Sequence, residues 1–336
     1  MTGREVRLVS WPDGLPREED FAIVETDVRT PQDGQVVIRN TWMSLDPAQR
    51  IRMCEGAPGY LPAFELGATL DGFAVGEVVE SRTDVLAPGD YVLHTLGWRD
   101  YAVADTASDR PPTRIHVDAD TPEQLYLGPL GWTALTSYAG LFDVAELRDG
   151  DVVFVSGAAG AVGSLVVQIA KLTGHVVIAS AGSAEKVAYV QGELGADETF
   201  CYRDGDVAEM LHAAAPDGID VYFDNVGGDH LQAALDALRP GGRVALCGAI
   251  SSYNATEPVP GPTNLFNAVA KGLTLRGFLA RMYAHRMDDF RRDMQRWLAE
   301  GRVSYPETVI EGLDQAPRGF IAMLSGGNVG KTIVRI

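Results

Sequence analysis

The sequence predicts an α/β protein in which a parallel, doubly wound sheet follows a β-rich N-terminal region. Up to about residue 125, short β-branched runs such as 35–39, 76–80 and 90–94 alternate with Pro, Gly and Asp turns. This spacing is typical of a β-barrel or β-sandwich. After Thr121 and Pro122, strands of mainly apolar residues, without period-two alternation, are each followed by a helix-like stretch. That alternation indicates a parallel sheet that is covered on both faces.

The elements of the second region follow in order along the chain. The predicted strands are 151–155, 176–180, 219–224 and 242–247, and the predicted helices are about 122–142, 161–173, 183–194 and 229–238. The last thirty or so residues have a different pattern, with a helix at about 314–324 and a terminal strand at 331–336. We expect this tail to pack back onto the first domain.

Composition restricts the class of partner. The chain has 336 residues, 46% of them hydrophobic, and 46 acidic against 28 basic side chains leave a net charge of −18. This charge disfavours nucleic acid and anionic membrane surfaces. The three cysteines include no CxxC pair, and no apolar run approaches the ~18 residues of a membrane span. We therefore expect a soluble, cytoplasmic protein without a disulfide framework.

The strongest local motif is VSGAAGAVGS at 155–164, at the end of one predicted strand and the start of the next helix. Backbone N–H groups at such a helix start attract a pyrophosphate, and small residues let it approach closely. Compared with G-x-G-x-x-G, Ala158 replaces the first glycine, whereas Gly160 and Gly163 are retained. In this strand-turn-helix context the motif predicts dinucleotide binding, and a merely tight strand-helix turn is the alternative.

The end of the next strand indicates which dinucleotide. A site for the unphosphorylated ribose usually has Asp or Glu ~20 residues after the glycines. Here residues 178–183 read IASAGS and contain no carboxylate, while Lys186 and Tyr202 follow. A lysine and a hydroxyl suit a 2′-phosphate, so NADP is favoured over NAD. The alternative is that Lys186 is a solvated charge at a helix start.

Several other chemistries find no support. None of the six histidines is near a cysteine in sequence and there is no HExxH, so we expect no metal. The Tyr-x-x-x-Lys pair of short-chain reductases is missing, because no tyrosine has a lysine four residues later. Ser183-Ala-Glu-Lys186 has the spacing of an acyl-enzyme serine motif, but it falls where a helix N-cap is expected. Ser183 is therefore interpreted as a cap and a cofactor contact. The remaining chemistry is hydride transfer assisted by a hydrogen-bond donor.

A set of ordered motifs then resembles a known family. The motifs are SLDP (44–47), RIRM (50–53), SGAAGAVGS (156–164), QIAK (168–171), AGSAEK (181–186), DNVGG (224–228), CGAISSYN (247–254) and GGNVGK (326–331). With them the chain resembles the zinc-independent medium-chain dehydrogenase/reductases over nearly its whole length. Within these it is similar to the prostaglandin reductase, leukotriene 12-hydroxydehydrogenase and alkenal double-bond reductase group.

The resemblance implies a Rossmann NADP-binding domain at 124–305, inserted in a GroES-like catalytic domain made of 1–123 and 306–336. It also implies NADPH-dependent reduction of the C=C bond of a small hydrophobic α,β-unsaturated ketone or aldehyde by a homodimer. Two alternatives stay open on the same scaffold, namely a quinone reductase and a secondary-alcohol dehydrogenase. A non-catalytic NADPH-binding sensor is the alternative from another class.

The resemblance also implies the cofactor contacts. The pyrophosphate would be held by Ala159, Gly160, Ala161, Val162 and Gly163, and the 2′-phosphate side by Ser183, Lys186 and Tyr202. Asn225 would lie by the cofactor, the nicotinamide ribose would be lined by Cys247, Gly248, Ala249, Ile250, Ser251, Phe278 and Leu279, and Asn328 would reach it from the C-terminal segment. Asn225 and Asn328 are also readable as turn residues.

Hydride addition to an enone places negative charge on the carbonyl oxygen, so catalysis needs a hydrogen-bond donor there. The resemblance makes Tyr253 the first candidate, acting with the ribose 2′-hydroxyl, and Tyr60 the second. The alternatives are that Tyr253 only packs on the cofactor and that Tyr60 is a rim aromatic. Ala48 and Gln49 replace the Tyr-Met that is usual in the family, and we expect this exchange to reshape the substrate pocket.

Overall fold

The computed structural model describes residues 1–56 and 61–336, and the chain divides into two compact units. The first unit comprises Met1–Gly128 and Glu307–Ile336, and the second comprises Pro129–Pro306. No helix in the described ranges is both long and apolar enough to cross a membrane.

The elements have the following bounds. In chain order the strands are β1 (Thr2–Leu8), β2 (Phe21–Asp27), β3 (Gln35–Ser44), β4 (Ala74–Ser81), β5 (Tyr91–His94), β6 (Tyr101–Asp105), β7 (Thr113–Arg114), β8 (Val152–Val155), β9 (Val176–Ala181), β10 (Glu198–Cys201), β11 (Ile219–Asp224), β12 (Leu238–Leu246), β13 (Thr274–Gly277), β14 (Glu307–Glu311) and β15 (Lys331–Arg335). The α-helices are α1 (Ala48–Ile51), α2 (Trp132–Ala139), α3 (Ala161–Leu172), α4 (Ala184–Gly192), α5 (Val207–Ala214), α6 (Gly228–Ala237), α7 (Asn267–Ala270), α8 (Met287–Ala299) and α9 (Ala316–Leu324).

The first unit is built on a largely antiparallel β-sheet, in which β14 and β15 pair in parallel. Its strand order is β14-β15-β3-β4-β5-β7, with β6 also pairing β3, and β1 and β2 form a separate hairpin. The terminal strand β15 pairs antiparallel with β3. The core behind this sheet contains Trp98, whose ring stacks on Phe21 with centroids 6.2 Å apart and meets Phe320 of α9 edge-on at 5.8 Å. The C-terminal segment thus supplies both a strand and a core side chain to this unit.

The second unit is a parallel sheet in the order β10-β9-β8-β11-β12-β13. All its strand pairs are parallel. The chain starts in the middle and reverses direction across the sheet between β8 and β11, which is the order of the Rossmann fold. Phe154 and Tyr222 stack at 5.0 Å in its buried core. In such sheets ligands bind beyond the carboxyl ends of the strands at this switch point, and the predicted fold class is confirmed.

One predicted element is wrong. The helix expected at about 122–142 is a 3₁₀ turn at Glu123–Leu127, then α2, and then a π turn at Gly140–Val144. Gly128 has φ −129° and ψ −107°, outside the helical region. It precedes Pro129, whose ring disfavours helical backbone at the residue before it. Gly131 then starts α2 from an extended conformation.

Two buried histidines make stability depend on pH. His94 is 4% exposed, and its Nδ1 accepts a hydrogen bond from the Leu96 N–H at 3.1 Å. Burial, together with the charge of Arg99, lowers the pKa of His94 to about 3, and burial lowers the pKa of His230 to about 4. Because an unfolded histidine titrates near 6.5, the unfolded chain binds more protons below that pH. Stability is therefore fully present above pH 6.5 and is lost as pH falls.

We expect the free energy of unfolding to fall by about 2 kcal/mol for each of these histidines between pH 7.5 and 5.0. Urea unfolding at a series of pH values measures this. In His94→Gln the glutamine oxygen replaces the acceptor, and the curve should be shallower by about one histidine's contribution. Parallel curves for wild type and variant would contradict the assignment.

Candidate functional site

The phosphate-binding turn connects β8 to α3. It passes through Gly157, which has a φ of +60°, and ends at Gly160, the extended N-cap of α3. A Cβ on Gly163 would clash with the Gly157 carbonyl oxygen and lie 2.8 Å from the Ala158 Cα. Only glycine therefore lets the helix approach the turn this closely. The turn brings together the residues predicted to hold a pyrophosphate: Ala159, Gly160, Ala161, Val162 and Gly163.

The first turn of α3 is suited to an anion. The first N–H groups of an α-helix lack intrahelical partners and lie at the positive end of the helix dipole. α3 is 12 residues long, and its first turn contains no acidic side chain. The charge and the small side chains of this helix start fit a pyrophosphate group.

A cationic region lies at the carboxyl ends of β9 and β10. Ser183 caps α4 by accepting the Lys186 N–H at 3.3 Å. The N–H of Tyr202 donates to the Ala181 carbonyl at 3.1 Å, which places the tyrosine beside the β9 end. A Cβ on Gly182 would lie 2.7 Å from the Tyr202 Oη, so this glycine makes room for the phenol. The predicted residues Ser183, Lys186 and Tyr202 are thus brought together.

Arg203 joins this region and was not predicted from the sequence. Half-burial lowers the pKa of Lys186, the positive charge of Arg203 lowers it further, and Glu185 opposes both. The Arg203 guanidinium also lies 5.8 Å from the centre of the Tyr202 ring. Two cations near one phenol, with no carboxylate among residues 178–183, fit a phosphate. The sequence offered one signal for this role of Arg203, which is that it directly follows Tyr202, a residue predicted to contact the 2′-phosphate.

Asn225, at the end of β11, has partners within the protein. Its Nδ2 donates to the Ser156 carbonyl at 2.8 Å, and its backbone N–H donates to the Ser156 Oγ at 3.1 Å. These bonds tie the end of β11 to the end of β8. Asn225 therefore links the two strand ends at the switch point, where a cofactor contact was predicted.

The segment after β12 is held on the segment after β11. The Asp224 carbonyl accepts the N–H groups of Cys247 at 2.9 Å and Gly248 at 3.0 Å. Ile250 and Ser251 donate their N–H groups to the next two carbonyls, at 3.3 and 3.2 Å. Burial raises the pKa of the Cys247 thiol to about 12, so the thiol stays protonated and is no nucleophile.

Tyr253 folds back onto this same segment. Its Oη accepts the Ala249 N–H at 3.3 Å, and a Cβ on Gly248 would lie 3.1 Å from that oxygen. The hydroxyl is therefore placed at the carboxyl end of β12, next to the backbone predicted to line the nicotinamide ribose. The Tyr253 oxygen thus accepts a backbone hydrogen bond, and a phenol can donate one as well.

Phe278 is a core residue. It follows β13, is 7% exposed, and packs edge-on against Phe223 and Tyr283, with centroids 6.2 Å apart in both pairs. A Cβ on Gly140 would lie 2.8 Å from its Cζ. Its ring therefore supports the sheet edge. Leu279 continues the chain from there with an extended backbone.

The other predicted residues belong to the first unit. Asn328 follows α9, and its Nδ2 donates to the Gly330 carbonyl at 3.0 Å, as expected of a turn residue. Tyr60 lies outside the described residues. Gln49 of α1 is 6% exposed, and it donates to the Asp71 carbonyl at 3.1 Å and accepts the Asp46 N–H at 3.1 Å. Its side chain is thus part of a local scaffold.

Within the described part of the chain, no three His, Cys, Asp or Glu side chains form an arrangement that could hold a metal ion.

Sequence profiles of two domain families match the chain. Residues 4–110 match the family described as "N-terminal domain of oxidoreductase", and residues 161–300 match the one described as "Zinc-binding dehydrogenase".

Relatives and solved structures align over nearly the whole chain. NADPH-dependent curcumin reductase of Escherichia coli is 40% identical over 98% of this chain and 95% of its own length. The NADP(+)-dependent 2-alkenal reductase of Nicotiana tabacum is 37% identical, over 100% and 98%. Rat prostaglandin reductase 1 is 36% identical, over 96% of each chain. The crystal structure of CurA from Vibrio vulnificus in complex with NADPH superposes with a TM-score of 0.92 at 36% identity, covering 99% of this chain and 98% of that one. The chain therefore belongs to the zinc-independent medium-chain dehydrogenase/reductases, in the NADP-dependent oxidoreductase group that includes the curcumin, alkenal and prostaglandin reductases.

Proposed function

We propose that this protein reduces the C=C bond of α,β-unsaturated ketones or aldehydes with NADPH. The observation that carries the proposal is the Tyr253 hydroxyl, fixed at the carboxyl end of β12 with its oxygen accepting the Ala249 N–H. An enone reductase requires a donor for the carbonyl oxygen, and a phenol supplies one without a metal. The names of the relatives, which include an alkenal reductase, support the same substrate class.

The residues present fit NADPH. The start of α3 would hold the pyrophosphate, and Lys186, Tyr202 and Arg203 would hold the 2′-phosphate. The carboxylate that an NAD site uses for the ribose hydroxyl is missing from residues 178–183. Bound NADPH supplies the hydride from C4 of its nicotinamide. The other cofactor contacts in this proposal are made by Asn225, Asn328 and the 247–251 segment, with Leu279 and Phe278 at the β13 end.

Tyr253 would stabilise the charge that develops on the substrate. As the β-carbon of an enone accepts a hydride, negative charge develops on the carbonyl oxygen. The Tyr253 phenol would donate a hydrogen bond to that oxygen, and the Ala249 N–H that it accepts strengthens the phenol as a donor. The α-carbon then takes a proton from solvent or from a tyrosine. Tyr60 remains the second candidate donor in this proposal.

The proposal includes a small hydrophobic enone as partner, a homodimeric assembly and a cytoplasmic location. Light scattering coupled to size-exclusion chromatography measures the assembly directly. A monomeric mass would remove the homodimer from the proposal and leave the chemistry unaffected.

Loss of NADPH absorbance tests the reaction. The panel consists of a short enal, a long enal, an aryl-substituted enone and a quinone, with a saturated ketone of matched carbon skeleton as the control. We expect saturable turnover of at least one enal or enone, with kcat/KM at least ~10-fold higher for NADPH than for NADH. The saturated ketone should be inert.

Each other outcome identifies an alternative. Turnover of the quinone alone would assign a quinone reductase. Oxidation of a secondary alcohol with NADP+, without enone reduction, would assign an alcohol dehydrogenase. Tight NADPH binding without turnover of any compound would favour a sensor.

A further inference from the structure

A chain of buried hydrogen bonds lies at the carboxyl ends of β8 and β11, the two strands at the switch point. Tyr222 is completely buried. Its hydroxyl oxygen lies 2.7 Å from Asp224 Oδ1 and 2.9 Å from Ser156 Oγ. The same Ser156 Oγ accepts the Asn225 N–H at 3.1 Å. Ser156 is 0% exposed and Asp224 is 1% exposed. Solvent water therefore does not replace these hydrogen bonds.

The donors in this chain follow a single direction. Asp224 Oδ1 also accepts the N–H groups of Val226 at 3.0 Å and Gly227 at 2.7 Å, so the carboxylate is the terminal acceptor. The phenol has one proton, which it donates in a hydrogen bond to Asp224. Because burial raises the pKa of Tyr222 well above its ordinary value, this proton stays on the phenol. The Ser156 hydroxyl then donates to the Tyr222 oxygen and accepts from Asn225. Hydrogen bonds aligned in this way polarise and strengthen one another.

The chain connects two parts of the candidate site that are far apart in sequence. Ser156 begins the phosphate-binding turn, one residue before Gly157. Asp224 holds the N–H groups of Cys247 and Gly248 on its carbonyl, and these begin the segment that carries Tyr253. Among the described residues, the Tyr222 hydroxyl is the one side-chain group that lies within hydrogen-bond distance of both the Ser156 and the Asp224 side chains. A shift of either end changes the geometry at the other.

We propose that Tyr222 is a positioning residue, whose hydroxyl fixes the phosphate-binding turn and the Tyr253 segment relative to each other so that the two bind one cofactor molecule. This inference rests on the proposed function, because it assumes that both parts contact NADPH. Tyr222 itself, enclosed in the sheet, contacts neither cofactor nor substrate. Without the hydroxyl, buried Ser156 and Asp224 each lose a partner, and the two segments are then held together through the bonds of Asn225 to Ser156.

The test is NADPH binding by Tyr222→Phe, followed through nicotinamide fluorescence without substrate. We expect Kd to rise about 10-fold. Tyr138→Phe is the matched control, since Tyr138 is also a buried phenol of the second unit and donates to Asp293 Oδ2 at 2.9 Å, between α2 and α8. It should lower Tm by a similar amount and leave Kd within about twofold.

A double-mutant cycle separates positioning from a general loss of stability. Ser156→Ala should raise Kd about as much as Tyr222→Phe, and the double variant should be little worse than either single variant, because both break one chain. Two results would overturn the inference. One is a double variant in which the increases in Kd of the two single variants multiply, and the other is a Kd for Tyr222→Phe within about twofold of wild type. If Tyr222→Phe does not fold, an unchanged Kd in Ser156→Ala overturns it. Since no substrate is present, failure of the enone assay leaves this result unaffected.

Discussion

Replacing Lys186 with glutamate should raise the Kd for NADPH about 100-fold and change the Kd for NADH by no more than about threefold. Half-burial lowers the pKa of the Lys186 ammonium, and the positive charge of nearby Arg203 lowers it further. A dianionic 2′-phosphate relieves this repulsion and replaces lost solvation. A carboxylate at position 186 repels the 2′-phosphate of NADPH, whereas NADH carries only an uncharged hydroxyl at that place.

Calorimetric titration with NADPH, NADH and adenosine 2′,5′-bisphosphate measures the effect without turnover. Arg203→Gln should weaken NADPH binding by about 10-fold, since it removes one of two charges. Lys171→Glu is the charge-matched control. Lys171 pairs with Asp197 at 2.8 Å near the carboxyl end of α3, far along the helix from its phosphate-binding start. An equal loss of NADPH affinity in Lys171→Glu would assign the effect to net charge, and an equal loss for NADH would exclude a 2′-phosphate site.

The cofactor preference was predictable from the sequence because it depends on local order. The glycine motif, the strand end at 178–183 and Lys186 lie within about thirty residues, and their order alone predicts that they surround one ribose and its phosphates. The same local reasoning predicted the parallel sheet, which the structure confirms. It failed at 122–142, where an apolar pattern indicated one helix and the Gly128-Pro129 step interrupts it.

Contacts between distant segments were not predictable. Tyr222 stands between two apolar residues of β11 and reads as a core residue, yet its partner Ser156 lies 66 positions earlier in the chain. The pair exists only because β8 and β11 are neighbours, a consequence of strand order. Gln49 is a similar case, since its bond to the Asp71 carbonyl spans 22 positions. Its position in the sequence suggested a pocket residue, which stays a prediction, and the structure adds that its buried side chain bonds to Asp46 and Asp71.

Tyr253→Phe should lower kcat for the preferred enone by about 100-fold, which is the scale of removing one donor to a developing oxyanion. The phenylalanine ring keeps the packing against the 247–251 segment and loses only the hydroxyl, which accepts the Ala249 N–H at 3.3 Å. The Kd for NADPH should therefore stay within about threefold of wild type. Steady-state rates and fluorescence titration of the same preparations measure both quantities.

Tyr283→Phe is the control for this result. Tyr283 also follows a strand of the parallel sheet, and its ring packs on Phe278 with centroids 6.2 Å apart. Removing its hydroxyl should change kcat by less than about threefold. If Tyr253 only packs on the cofactor, Tyr253→Phe leaves kcat near wild type at saturating NADPH, as Tyr283→Phe does, because the phenylalanine keeps the ring. A donor to the enolate acts in the transition state, so its loss lowers kcat, whereas packing acts in the ground state. The ratio of the change in kcat to the change in Kd therefore decides between the two roles.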